Sequence, residues 1–588
     1  MTMSKAFKIF LIIAAVGLVV IGAPRLYHWL ASWNYRRHFD TEIVYKLTPI
    51  RGDMYDTDGN LICTSELAYD AYLDCTLLQD EDEWRSSLHS LAPELARLFP
   101  ERGAAEWWQY IQDGRDNGKK YLKIAKNLSG EKKAALRQLP IFMKGRLVGG
   151  AIFEQHYRRI LPYGNLASRT IGYARNGEVG VGLEKGFERE LHGIDGHKVV
   201  QYGHYQGEGM RREKETVSPQ RGLDIHTTLS MRLQAAADSA LRKAVSNEAE
   251  IEAACLVLMD VSSGAIRAMV NLSRDPDVPG RPFGERYNYA IGYPFEPGSV
   301  VQTMTLAAAL NDGYIRSLEE RIPTNHGVIP GKVQDATIQD YERRHGAREI
   351  SILDGFVTSS SYVPAKLATD YYSASTRYFV ESLRSYCLPE DIHFDLEGLR
   401  PADFTNPQGL YWEDHTLAMM SNGFCLTLAP LDILSFYNTI ANGGTMVKPY
   451  LVESVGNGKP KETGILKRSV LRQATVDSLR RALREVTLRG TGARLRDARY
   501  PISGKTASAL QIISVYDPDT PGGLAKDPYH DKLGRKKTAG VYVGFFPEDR
   551  PQYSVICVVF SEPTHKNFYG GTIPAIAVRD LVNSMNTL

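Results

Sequence analysis

Cysteine is scarce in this sequence and unpatterned. The six in 588 residues are Cys63, Cys75, Cys255, Cys387, Cys425 and Cys557. None sits in a CxxC pair, which argues against a zinc site or a disulfide framework. Cys63 and Cys75 are near enough in sequence to bridge, but separate buried thiols are the expected state. Histidine pairs at metal-ligand spacing are missing, as is a phosphate-cradling glycine loop, so neither a metal nor another cofactor is expected. Charge of one sign is not in excess either. The formal net charge is +2, which gives no reason to expect a nucleic-acid partner. There is no internal repeat and no low-complexity stretch.

Long apolar runs are equally scarce, and the single example is informative. "IFLIIAAVGLVVIGA", Ile9 to Ala23, is uninterrupted. It falls slightly short of the ~20 residues a spanning helix needs, and Ala6 and Phe7 extend it if Lys8 snorkels. Lys5 and Lys8 precede it, as a cytoplasmic N-terminus requires. Tyr27, Trp29, Trp33 and Tyr35 follow as an interfacial belt. Gly22-Ala23 resembles a signal-peptide cleavage site, but Pro24 just beyond it disfavours the cut. The expectation is a short cytoplasmic tail (1–8) and a retained transmembrane anchor (9–29). The bulk of the chain would then lie on the extracytoplasmic side of a bacterial cytoplasmic membrane.

A chain this long exceeds one hydrophobic core, so at least two domains are expected. Residues 41–220 carry short strand-like runs, charged helices such as "EWRSSLHSLAPELARLF", and many turns. His204 to Gly222 is polar and reads as a linker. From Leu223 the texture changes. "AACLVLMDV" and "AIRAMVNL" flank "SSG", a hairpin signal. Helical stretches follow, and "TAGVYVGFFP" and "QYSVICVVFS" close the chain as strands before a last helix. This predicts an α/β domain over 223–588 whose sheet joins the chain's two ends. Tyr516 to Thr538 is a polar insertion between strands, expected to be a hairpin tip.

Three polar clusters stand out in the second domain. In "YPFEPGSVVQTMTLAAAL" a Pro-Gly turn delivers Ser299 to an apolar helix. "TSSSYVPAK", Thr358 to Lys366, is a serine run between helices. In "ISGKTASAL", Ile502 to Leu510, Lys505 and Thr506 interrupt a strand. Singly each has a bland reading: a helix cap, a loop, a solvated lysine. Their order and separation point elsewhere.

In that order the clusters resemble S-x-x-K, S-x-N and K-[ST]-G, the motifs of the class B penicillin-binding proteins, serine D,D-transpeptidases that cross-link peptidoglycan. The likeness extends along the chain. "RGDMYDTDGNLI", "RILPYGNLASRTIGY" and "GVGLEKGFERELHG" resemble the family's pedestal motifs. "FEPGS", "TIANGGTMVKPYLV", "GTGARL" and "YVGFFPEDRPQYSV" resemble its transpeptidase signatures. The resemblance implies a strand-rich pedestal (dimerisation-like) domain, then a transpeptidase domain with a helix-flanked central sheet, all behind one membrane helix. Arg51, Asp56 and the 180–188 segment would build the junction between the two. The implied ligands are a peptidoglycan stem peptide or a β-lactam. The implied partners are a membrane glycan polymerase and other wall-synthesis proteins.

The same resemblance assigns roles. Ser299 would be the nucleophile, Ser359 a proton relay, and Lys505 with Thr506 would face the substrate carboxylate. The backbone N–H groups of Ser299 and Ser508 would form the oxyanion hole. Each motif nevertheless departs from the family by one element. Gln302 stands where the basic lysine belongs, Ser361 where the asparagine belongs, and Ala507 where the glycine belongs. An amide cannot take a hydroxyl's proton at neutral pH, and the Ala507 methyl is expected to crowd the substrate. Three readings compete: a transpeptidase with an unusual base, a pseudo-transpeptidase serving as a binding or scaffold protein, and an engineered inactive form. Lys505 is the candidate substitute base, with Lys366 and His345 behind it. Changes in all three motifs favour the second reading.

Overall fold

The computed structural model describes residues 16, 24–27, 39–175, 178–205, 208–514, 527–566 and 568–585. The expected tail and nearly all of the expected 9–29 anchor, with Trp29, Trp33 and Tyr35, lie outside them. Among the described residues no helix is long and apolar enough to cross a membrane.

The chain forms two compact units, 1–52 with 189–223, and 53–188 with 224–588. The first contains a three-stranded antiparallel sheet of Phe39–Leu47, Gly196–Tyr205 and Glu208–Val217. This corrects the reading of 204–222 as a linker. The Glu208–Val217 strand has almost no apolar residue to bury, so period-2 hydrophobicity is missing. Its support is the backbone ladder and cross-strand ion pairs, Lys198 with Glu213 and Lys214 with Glu42.

The second unit joins most of the expected pedestal to the C-terminal half, a different division from one between 220 and 223. The reason is a shared sheet. Ile225–Thr227 pairs in parallel with Met54–Tyr55 and antiparallel with Val452–Val455. Met54–Tyr55 continues to Leu61–Leu73, which pairs with Leu122–Leu128 and Ala151–Ile160. Asp56, buried in the turn after Met54–Tyr55, accepts hydrogen bonds from the N–H of Asn60 (2.8 Å) and of Met231 (3.1 Å). It thereby ties this turn to the start of helix Met231–Val245. Glu184, fully buried, pairs with Arg159 at 2.6 Å. Arg51 falls in the other unit.

The second unit also holds a six-stranded antiparallel sheet. Its order is Phe283–Gly284, Ile266–Arg274, Ile251–Asp260, Tyr553–Ser561, Lys537–Phe546, Ser503–Gln511. Ile251–Asp260 pairs with Tyr553–Ser561, so the sheet does join the two ends of the domain. Its central strands are buried on both faces and read as continuous apolar runs. Helices Met231–Val245 and Ile573–Ser584 pack on it around Leu241, Val270, Val559 and Leu581. Ser503–Gln511 is an edge strand, with one side unpaired by the sheet. Of the 516–538 insertion, Tyr516 to Lys526 lie outside the described residues. Lys537 and Thr538 belong to a strand. All six cysteines are free thiols.

Candidate active site

The turn at Ser299 is set by its glycine. Gly298 has φ +65, and a Cβ there would stand 2.9 Å from the Ala509 Cβ on the edge strand. Its N–H donates to the Gly423 carbonyl (3.1 Å). Gly423 is glycine for the same reason, since its Cβ would stand 2.2 Å from the Gly298 carbonyl oxygen. Ser299 then lies in a single 3-10 turn, Gly298–Val300, which leads into helix Gln302–Asp312. Residues 302–310 of that helix are all buried, as an apolar helix inside a core must be. Ser299 is not its cap: Val301 holds that position, without a side-chain bond.

Gln302, 1% exposed, is enclosed by acceptors. Its Nε2 donates to Asn422 Oδ1 (3.0 Å), the Ser360 carbonyl (3.2 Å) and Ser299 Oγ (3.3 Å). The amide can only be oriented this way. Nitrogen must face the Ser360 carbonyl, which accepts and never donates. Asn422 is fixed likewise, because its Nδ2 donates to the carbonyls of Ser361 (2.9 Å) and Ala418 (3.1 Å). Two N–H groups serve three acceptors, so the contact to Ser299, the longest, is the weakest. The Gln302 nitrogen that Ser299 meets is a donor and cannot take its proton.

The other end of the cleft holds an amine. Lys505 is 0% exposed on the edge strand. Its Nζ donates to Ser359 Oγ (2.7 Å) and the Thr506 carbonyl (3.2 Å), and lies 5.4 Å from the Phe356 ring centroid. Burial lowers its pKa to about 7, because the ammonium loses its hydration and no carboxylate among the described residues pairs with it. Ser359 Oγ in turn donates weakly to Gln302 Oε1 (3.4 Å). Ser359 has φ +58, a conformation rare for serine. Asp335 holds the serine loop in place: its Oδ2 accepts from Ser360 Oγ (2.6 Å) and the Tyr362 N–H (3.1 Å).

The three clusters therefore meet in one hydrogen-bonded chain, Ser299–Gln302–Ser359–Lys505. Ser361 contributes its backbone carbonyl. The amide beside Gln302 comes from Asn422, which sequence reasoning missed; its signal was the Asn-Gly turn in "SNGF". Thr506, buried, hydrogen-bonds Thr491 Oγ1 (2.5 Å), and Ser508, exposed, accepts from the Gly570 N–H (3.1 Å). The Ala507 methyl is buried and stands 3.7 Å from where a Cβ on Gly298 would be, so it faces the Ser299 turn. Lys366 is committed to Asp370 (2.5 Å), and His345 packs on Tyr341. Neither joins the chain of contacts. Among the described residues no metal-binding cluster of His, Cys, Asp or Glu occurs.

Comparisons with known proteins agree with this layout. Residues 254–583, more than half of the chain, match the penicillin binding protein transpeptidase domain. Residues 46–227 match the penicillin-binding protein dimerisation domain. The chain is similar to the "Peptidoglycan D,D-transpeptidase FtsI" of Escherichia coli, with 28% identity over 439 residues, 74% of this chain and 68% of that protein. It is similar to the "Probable peptidoglycan D,D-transpeptidase PenA" of Neisseria gonorrhoeae, with 26% identity over 445 residues, 74% of this chain and 70% of that one. Its fold resembles that of Penicillin Binding Protein 2X from Streptococcus thermophilus, with TM-score 0.66 and 18% identity over 92% of this chain and 79% of that one.

Proposed function

This chain belongs to the class B penicillin-binding proteins, and we propose that within that family its Ser299 is a former nucleophile. The protein acts in peptidoglycan synthesis as a binding or scaffold member whose cleft still receives stem peptides or β-lactams. The carrying observation is the cage around Gln302. Its acceptors, Ser299 Oγ, Asn422 Oδ1 and the Ser360 carbonyl, suit an ammonium, yet an amide with no usable lone pair fills it. Losing a general base costs ~10² to 10⁴ in rate. A second reading makes Lys505 the base for Ser299 in an active D,D-transpeptidase, and its support is the lysine's lowered pKa. Against it, the contacts linking Lys505 to Ser299 run through the Gln302 amide, which does not relay a proton.

The test is a fluorescent penicillin applied to the purified protein, followed by peptide mapping. The tryptic peptide 287–316, which carries Ser299, stays unmodified over hours. Efficient adduct formation there would overturn the reading. The proposal includes the 9–29 anchor, an extracytoplasmic location and a membrane glycan polymerase as partner. The apolar run and its flanking lysines support the first two, and the family supports the third. Protease added to intact spheroplasts would then digest the protein, and full protection would exclude that topology.

A further inference from the structure

The geometry points to Ser359, with Lys505 as its general base, as the acylable group of this cleft. The inference goes beyond the reading above, which concerns Ser299 alone. It names a different nucleophile, and the substrate class is strained or activated acyl compounds, β-lactams first.

Four observations carry it. The Lys505 Nζ to Ser359 Oγ contact is 2.7 Å, the shortest along the cleft's chain of contacts and within the range a base needs. The competing acceptor for the Ser359 hydroxyl, Gln302 Oε1, is at 3.4 Å. Ser359 is half-buried, while Lys505 is fully enclosed. The left-handed backbone at Ser359 is held by its own N–H on the Phe356 carbonyl (3.1 Å) and by Asp335 on the adjacent Ser360. A strained residue fixed from both sides keeps its side chain on the lysine.

An unpaired buried lysine is poised to be neutral, and a neutral amine has the lone pair that an amide lacks. The charged and titratable groups on the elements around Lys505 are committed elsewhere. On helix Ile352–Val357, Asp354 pairs with Arg489 (2.8 Å) of helix Gln473–Arg489. Asp335 is taken by Ser360 and Tyr362. On the neighbouring strand burial holds the Tyr542 phenol protonated. The serine loop offers hydroxyls only, and helix Gln302–Asp312 offers Gln302. Burial alone sets the charge of Lys505.

The step balances without a further reactant. The Nζ lone pair takes the Ser359 hydroxyl proton as Oγ bonds to the lactam carbonyl carbon. The ring C–N bond breaks. The new ammonium returns that proton to the departing ring nitrogen, and Lys505 ends neutral.

Tryptic mapping separates the candidates, because Ser299 lies on 287–316 and Ser359 on 349–366. The full chain is incubated with a fluorescent penicillin from pH 6 to 9, digested, and sequenced by mass spectrometry. The expected result is an adduct on 349–366, localised to Ser359, with a rate that rises with pH and levels off above about 7. It is lost in Ser359→Ala and falls at least about 100-fold in both Lys505→Met and Lys505→Arg. The wild-type map decides even if the lysine variants fail to fold. An adduct on 287–316 overturns this inference and the proposed function together. No adduct on either peptide overturns the inference and leaves the reading of Ser299 standing. An adduct at Ser359 that survives in folded Lys505 variants overturns the role of the lysine.

Discussion

At one end of the cleft Ser299 meets a side-chain nitrogen at 3.3 Å, and at the other Ser359 meets one at 2.7 Å. Both serines are half-buried, both nitrogens are buried, and both pairs sit beside left-handed backbone, at Gly298 and at Ser359 itself. The difference is chemical. The first nitrogen is an amide whose lone pair is delocalised, and the second is an amine whose burial favours the free base. Proximity of a hydroxyl and a nitrogen therefore says little about reactivity until the charge state of that nitrogen is known.

The largest effect is expected from making the two ends alike. Gln302→Lys places an amine within reach of Ser299 Oγ, and its neutral form has the lone pair that the amide lacks. Penicillin labelling at Ser299, which the new tryptic site places on peptide 287–302, should rise by ~10² or more, up to the ~10⁴ that a general base contributes. Adding Ala507→Gly should bring no further gain, because that methyl packs under the Ser299 turn. A labelling rate unchanged in folded Gln302→Lys would show that more than the base has been lost at that end.

Next in size is the pH response of stability at the amine end. The Lys505 pKa is about 7 in the folded chain against 10.5 ordinarily. Between those values the folded chain binds fewer protons than the unfolded one, so stability rises with pH, by up to about 1.4 kcal/mol per pH unit. Below about pH 7 both states are protonated, and this slope disappears. Urea unfolding at pH 7, 8 and 9 should show the rise in the wild type relative to Lys505→Met. Parallel curves would mean that Lys505 keeps its charge.

The smallest effect concerns the wall of the amide end. Asn422→Ala takes the amide donor from the Ser361 carbonyl and opens a gap beside Gln302, which keeps Ser360 and Ser299 as acceptors, and this should cost about 1–3 kcal/mol. A change in unfolding free energy below about 0.5 kcal/mol would mean that water replaces the amide.

Much of the frame was legible beforehand. The apolar runs over 253–261 and 552–561 announced buried strands, and their pairing across the domain follows from where they sit in it. The polar hairpin of the first unit was not legible, because a strand supported by ladder bonds and ion pairs carries no hydrophobic period. Asn422 was missed because it contacts Gln302 across 120 residues, and an Asn-Gly dipeptide is common in turns. The placing of the Ala507 methyl was legible from strand alternation, since residues 505, 507 and 509 share one face of the strand and Ala507 and Ala509 approach the Ser299 turn.

The sequence by itself determined the chemistry that is absent. No amine stands three residues after Ser299, and side-chain identity is a local property that folding cannot change. Tertiary structure decided the chemistry that is present. Whether Lys505 is charged, and which hydroxyl it touches, depends on desolvation by the edge-strand packing and on a partner 146 residues away. Desolvation is summed over the whole surroundings of a group and leaves no mark in the residues beside it in sequence.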